Sequence, residues 1–153
     1  METFLVVGLG NPGSRYANTR HNAGTDFVQM LCKKYDVELT EKKKYKASIG
    51  KFLLKDMEVI LSIPTLFMNQ SGKSVAPTVK GENIKLKNLL VVHDDLDLPP
   101  GVSKLKFSGG DGGHNGLKDI MQSLSGKKDF KRLRIGIGHP CLLYTSPSPR
   151  DDR

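Results

Sequence analysis

Two short, nearly unbroken apolar runs constrain this chain more than any other feature. Phe4 to Val7 is closed by Gly8, and Leu89 to His93 runs into Asp94. Each is too short for a helix and apolar on consecutive positions, the pattern of a strand buried on both faces. Leu133 to Ile137 reads as a last apolar strand. Helical periodicity lies between them. From about Asn22 to Tyr35, residues Phe27, Met30, Leu31 and Tyr35 share one face. A short helix is expected from near Ser71, with Pro77 limiting or kinking it, and another over Leu117 to Leu124. Ala47 to Leu54 and Met57 to Ile63 read as two strands joined at Lys55-Asp56. Glu41 to Lys46 reads as a lysine-rich connection, Pro64 to Gly72 as a loop and Pro99 to Phe107 as extended chain. Gly109 to Gly116 holds five glycines in eight residues and is expected to be a loop throughout. Strands alternating with helices imply the α/β class: a single three-layer α/β/α sandwich around a twisted, mostly parallel mixed sheet.

A length of 153 residues suits one domain, and 37% apolar residues can build its core. No segment approaches the roughly 18 apolar residues that a membrane span needs. Met1 leads directly into the first apolar run without a basic start, so no signal peptide is expected. Cys32 and Cys141 are too few for a disulfide framework or a four-cysteine zinc site, and the expected compartment is the reducing cytoplasm. Net charge is +8, from 24 Lys and Arg against 16 Asp and Glu. A polyanionic partner such as nucleic acid would explain it, and so would a solvated basic surface; charge alone does not choose.

The four histidines are the first place to look for chemistry near neutral pH. Each alone reads as a surface or capping group, and it is their placement that matters. In open α/β sheets, ligands bind outside the carboxyl ends of the strands. The connection after Phe4–Val7 carries Asn11 and then His21, and the one after Met57–Ile63 carries Asn69. Strand Leu89–His93 delivers Asp94, and the glycine loop delivers His114 and Asn115. If these strands run parallel, the polar groups converge on one rim. A histidine base, a carboxylate to orient it and several amides then form a coherent hydrolytic site. Ser14 and Ser71 lack a nucleophile elbow and Cys32 falls within a helix, so activated water is the expected nucleophile.

Other chemistries are less well supported. Gly8-Leu9-Gly10-Asn11-Pro12-Gly13 matches a dinucleotide fingerprint in form. Pro12 removes a backbone N–H from the cradle, however, and the polar run Ser14 to Asn22 delays the helix. No His or Cys spacing suits a metal, and Asp94, Asp95 and Asp97 on an extended chain would not share a face. The glycine loop could cradle a phosphate but lacks a P-loop ending. Lys104 and Lys106 share one face of an extended segment, as do Arg132 and Arg134, and both pairs would suit a terminal phosphate or an RNA backbone. Ordinary strand-edge charge is the alternative.

Taken together, these segments resemble the bacterial peptidyl-tRNA hydrolase family. Val7 to Gly13 followed by Tyr16-Ala17-Asn18-Thr19-Arg20-His21-Asn22 is similar to its opening, and Phe67-Met68-Asn69-Gln70-Ser71-Gly72 to its second motif. His93 to Gly101 and Gly112 to Leu117 resemble its third and fourth motifs, and Arg132 to Pro140 its fifth, all in order from Phe4 to Pro140. The resemblance implies an enzyme that cleaves the ester between peptide and tRNA and so returns tRNA to translation. It implies His21 as the general base and Asp94 as its orienter. Asn11, Asn69 and Asn115 would hold substrate and water, with Tyr16, Met68 and His114 lining the site. Lys106 and Arg134, with Lys104 beside them, would bind tRNA phosphate. No metal or organic cofactor and no membrane is implied, and a monomer is expected. A non-catalytic RNA-binding protein on the same fold is the alternative; the full set of His21, Asp94 and three asparagines favours the enzyme.

Two departures stand out. Ile63-Pro64 replaces the usual Lys-Pro lead-in to the second motif, with Leu66 where the family commonly has threonine. After Pro140 the resemblance stops, and the last thirteen residues, Cys141 to Arg153, read as translated sequencing adapter joined to a truncated gene. The expectation is therefore an incomplete domain over 1–140 followed by a non-native, disordered tail over 141–153. Such a chain, short of its C-terminal elements, is expected to be only marginally stable.

Overall fold

The computed structural model describes residues 2–11 and 22–137. His21, Tyr16 and the tail 141–153 therefore lie outside the described residues. The described chain forms a sheet of seven strands, β1 (Glu2–Gly8), β2 (Thr40–Lys42), β3 (Ala47–Leu54), β4 (Met57–Pro64), β5 (Leu89–Asp95), β6 (Ser103–Phe107) and β7 (Lys131–Gly136). Three helices accompany it: α1 (Ala23–Tyr35), α2 (Gly72–Gly81) and α3 (Asn115–Ser123). The strand order is β2-β3-β4-β1-β5-β7-β6. The central pairings β4·β1, β1·β5 and β5·β7 are parallel, and the flanking ones are antiparallel. This is the expected mixed sheet, with its parallel part at the centre.

The continuous apolar runs became the central strands, as their two-sided burial requires. Leu5 and Val7 face one core with Leu89, Val91, Leu117, Ile120 and Phe130, on the side of α2 and α3. Val6 and Val92 face the other with Val28 of α1. Alternation along each strand thus divides one apolar run between two layers. Helix α1 sits unusually close to the sheet. A Cβ at Gly24 would overlap the Val92 carbonyl and the Leu9 main chain. Only glycine allows that approach, and it seats the start of α1 over the carboxyl ends of β1 and β5.

Several boundaries differ from expectation. Thr40–Lys42, overlapping the start of the supposed connection, is an edge strand paired with β3, and Lys43–Tyr45 is a single 3₁₀ turn. All three strand residues are exposed, so no apolar pattern marked it. Pro64 ends β4 instead of opening a loop; it lies beyond the last β1 partner, Ser62, and opposite Ala47. Pro77 lies within α2 and does not end it. Pro99–Gly101 is a turn, and extended chain begins only at Ser103. The glycine segment gives way to α3 at Asn115, because His114 caps the helix: its Nδ1 accepts from the Gly116 and Leu117 N–H groups at 3.1 and 3.2 Å.

Candidate active site

The chain leaves β1 for one side of the sheet and later returns to pair β5 against the other edge of β1. That reversal opens a crevice at the carboxyl ends of these strands. The cleft there has a volume of about 430 Å³, and its lining includes Met68, Asp94, His114, Asn115, Lys106 and Arg134. Six of the residues singled out from the sequence thus meet in one place.

Two of them, Met68 and Asp94, lie where the parallel-strand rule expects, and Asn11, outside the cleft lining, is bonded to Met68. Asn11 follows β1, Met68 follows β4 and Asp94 lies near the end of β5. Asn11 accepts a hydrogen bond from the Met68 N–H at 2.8 Å through Oδ1, tying the first connection to the second. Its own N–H donates to Asn22 Oδ1 at 3.1 Å, which anchors the start of α1 beside it. Asp119 of α3 accepts from the Gly72 N–H at 2.6 Å, fixing the turn Met68–Gln70 against α3 from below.

The glycine loop arrives differently. Strand β6 is antiparallel to β7, with Phe107 opposite Lys131 at the amino end of the parallel strands. The loop therefore starts at the wrong end of the sheet and climbs its face to the rim. Gly109, Gly112 and Gly113 take φ values of +100°, +61° and +80°, which L side chains resist. Midway, Arg132 Nη1 donates to the Gly110 carbonyl at 2.6 Å, while Nη2 donates to Lys128 O at 2.9 Å. At the top, His114 Nε2 lies 3.3 Å from Asp94 Oδ1. Since Nδ1 of that ring accepts two backbone N–H groups, the ring hydrogen is on Nε2 and donates to the carboxylate.

His93 stands behind this pair. It is 4% exposed and meets the His114 ring edge-on at a centroid distance of 4.6 Å. Burial, with the neighbouring His114 ring adding to it, pushes the His93 pKa down to about 4. His93 is therefore a neutral ring at physiological pH.

The fourth wall is cationic. Register places Lys104 opposite Arg134 and Lys106 opposite Arg132, all on one face of the sheet, and Lys106, Arg132 and Arg134 line the cleft. Arg134 Nε donates to Asp95 Oδ2 at 2.6 Å. Burial works to raise the Asp95 carboxyl, but the bonds from Arg134 and from the Asp97 N–H hold it below the usual range. Arg132 is 1% exposed, lies over the Phe130 ring at 4.6 Å, and has its pKa lowered by burial despite nearby Asp111. Arg132, paired with Arg134 in the sequence as a phosphate-binding candidate, lines the cleft, and so do His93 and Asp95, which were marked chiefly by standing beside Asp94.

Asn69 and Lys104 stand apart from the lining. Asn69 is exposed on the turn Met68–Gln70, and Lys104 is exposed on β6. Among the described residues there is no group of three or more His, Cys, Asp or Glu side chains placed to hold a metal ion. Nor is any described helix long and apolar enough to cross a membrane.

An α/β domain whose strand ends present a histidine-held carboxylate beside a basic wall defines a class of enzymes acting on anionic substrates. The comparisons give the family. The family model described as peptidyl-tRNA hydrolase matches residues 5–146, and the chain belongs to that family. It is 52% identical over 136 residues to the peptidyl-tRNA hydrolase of Pseudoalteromonas translucida, covering 89% of this chain and 70% of the relative. With that of Haemophilus influenzae it shares 47% identity over 157 residues, covering 98% and 81%. The crystal structure of peptidyl-tRNA hydrolase from Acinetobacter baumannii superposes with a TM-score of 0.86 at 46% identity, covering 97% of this chain and 71% of that one.

Proposed function

We propose that this chain hydrolyses the ester between peptide and tRNA in peptidyl-tRNA, with His21 as general base. Family membership supports the substrate class. Within the chain, the observation that carries the reading is Asp94: a carboxylate 6% exposed, held by His114 at the rim of the cleft. The described residues on the C-terminal side of His21 support its partnership with Asp94. Asn22 is bonded to Asn11, and Gly24 packs on Val92, two positions before Asp94.

In this reading the His21 imidazole takes a proton from water as the oxygen attacks the ester carbonyl carbon. Asp94 orients the ring and favours its charged form. Collapse of the tetrahedral intermediate breaks the bond to the ribose oxygen, which leaves with the proton from His21. The products are a peptide carboxylic acid and free tRNA. Asn11 has its Oδ1 taken by Met68, so the Nδ2 amide is what it offers substrate. Asn115, on the cleft wall, and Asn69 supply further amides for substrate and water, and Tyr16, Met68 and His114 line the site. Lys106 and Arg134, with Lys104 at the margin, bind tRNA phosphate. The test is release of peptide from peptidyl-tRNA: His21→Ala is expected to abolish turnover while tRNA binding persists, and near-full activity in that variant would overturn the assignment.

A further inference from the structure

We infer that His93 is a positioning residue for the reaction: its Nδ1–H closes the Asp94 main-chain carbonyl at the point where β1 has ended, and so fixes the carboxylate at the cleft. The inference rests on the reading of Asp94 given above.

β1 pairs with β5 only as far as Gly8 opposite Val92, and the last bond between them runs from Leu9 N to Val92 O at 2.9 Å. In a strand, carbonyls two residues apart point to the same side. The Asp94 carbonyl therefore faces the β1 side just beyond the end of β1, whereas the Asp95 carbonyl faces β7 and accepts from Ile137 N at 3.0 Å. A carbonyl at such a place needs a donor or water. His93 Nδ1 lies 2.8 Å from it. A carbonyl oxygen can only accept, so the ring hydrogen of His93 is on Nδ1.

The two rings thus carry opposite tautomers, Nδ1–H on His93 and Nε2–H on His114, and they grip Asp94 from its two ends. His93 takes the main chain and His114 takes the carboxylate. Their edge-to-face contact makes each ring a wall for the other. His93 Nε2 is left buried with no hydrogen-bond partner among the described residues. Because the Nε2 atom is itself buried, the route from His93 to the reaction runs through Asp94.

Asparagine can present an amide N–H where a histidine presents Nδ1–H, and phenylalanine keeps the ring but has no donor. His93→Phe is expected to lower kcat on the order of tenfold to a hundredfold, as a displaced catalytic group does. KM should move by less than about threefold, since substrate contacts are untouched. His93→Asn should recover most of the loss. Long-range proton–nitrogen NMR spectra of the unmutated protein should show His93 as the Nδ1–H tautomer and His114 as Nε2–H. Full kcat in His93→Phe, equal impairment of both variants, or an Nε2–H tautomer at His93 would overturn the inference. Running His21→Ala alongside separates the two readings. Retained turnover there overturns the base assignment itself, while loss there with an unimpaired His93→Phe overturns only the role of His93.

Discussion

On the β5 side of the cleft, neutral and acidic groups hold one another: His93 the Asp94 main chain, His114 its carboxylate, and the first turn of α3 the other nitrogen of His114. On the β6–β7 side, cations stand opposite cations across the ladder, an arrangement that costs stability unless something takes up the charge. Arg134 has Asp95 for this, and its side chain is 27% exposed. Arg132 bonds two carbonyls and lies over an aromatic face, with Asp111 nearby, and it is buried. Lys106 is exposed in the cleft. One wall is tied together by neutral and acidic contacts, and the other carries an excess of positive charge. Under the function proposed above, the first would serve the chemical step and the second affinity for a polyanion.

Four measurements test that contrast. The largest effect is expected on the organised wall, where Asp94→Asn should lower kcat roughly a hundredfold or more with tRNA affinity little changed. An equal fall in affinity would erase the division between the walls. Next comes the pH dependence of stability. His93 resists protonation when folded, at about 4, and titrates near its ordinary value when unfolded. The unfolded chain therefore binds the extra proton, and stability present above about pH 6.5 is lost as pH falls toward 4, on the order of 3 kcal/mol from this ring. The charged and titratable groups around it, His114, Asp94, Asp95 and Arg134, all contribute to its environment. Urea unfolding at pH 7 and pH 4.5 measures the loss, and His93→Asn should flatten the slope in that window.

The third is Arg132→Met, expected to destabilise by roughly 2 kcal/mol, because the Gly110 and Lys128 carbonyls lose their donors. A shift in the urea midpoint reads it. No shift would mean that relief from burying the charge offsets the lost bonds. The smallest effect belongs to Lys106→Ala, which should weaken tRNA binding several-fold and reduce the slope of affinity against salt by about one. kcat at saturating substrate should stay unchanged. A fall in kcat would place Lys106 in the chemical step and blur the comparison.

Residues at the ends of apolar runs were legible in advance. Asp94 follows a buried strand and Asn11 the turn after one, and burial on both faces forces those runs to the centre of the sheet; Asn69, read into the loop after Met57–Ile63, lies outside the cleft lining, where Met68 stands instead. β2 was not legible, since a three-residue exposed edge strand has no hydrophobic pattern and exists because β3 offers it a partner. Nor was the start of α3, because its cap is a histidine side chain where the usual signal is Ser, Thr, Asp or Asn. The glycine loop reached the expected rim by an unexpected path, climbing over Arg132 from an antiparallel strand.

The order of residues was enough to show which stretches are buried strands, which end of them carries the polar groups, and that the chain is basic. These follow from local composition and from the period of two or of three to four along the chain. The burial of Arg132, the pairing of Arg134, the contact of His93 with the Asp94 carbonyl beyond the end of β1 and the approach of His114 to the Asp94 carboxylate came only with the three-dimensional packing. Those outcomes depend on register and on where a neighbouring strand stops. Both are set by long-range pairing, which no local pattern encodes.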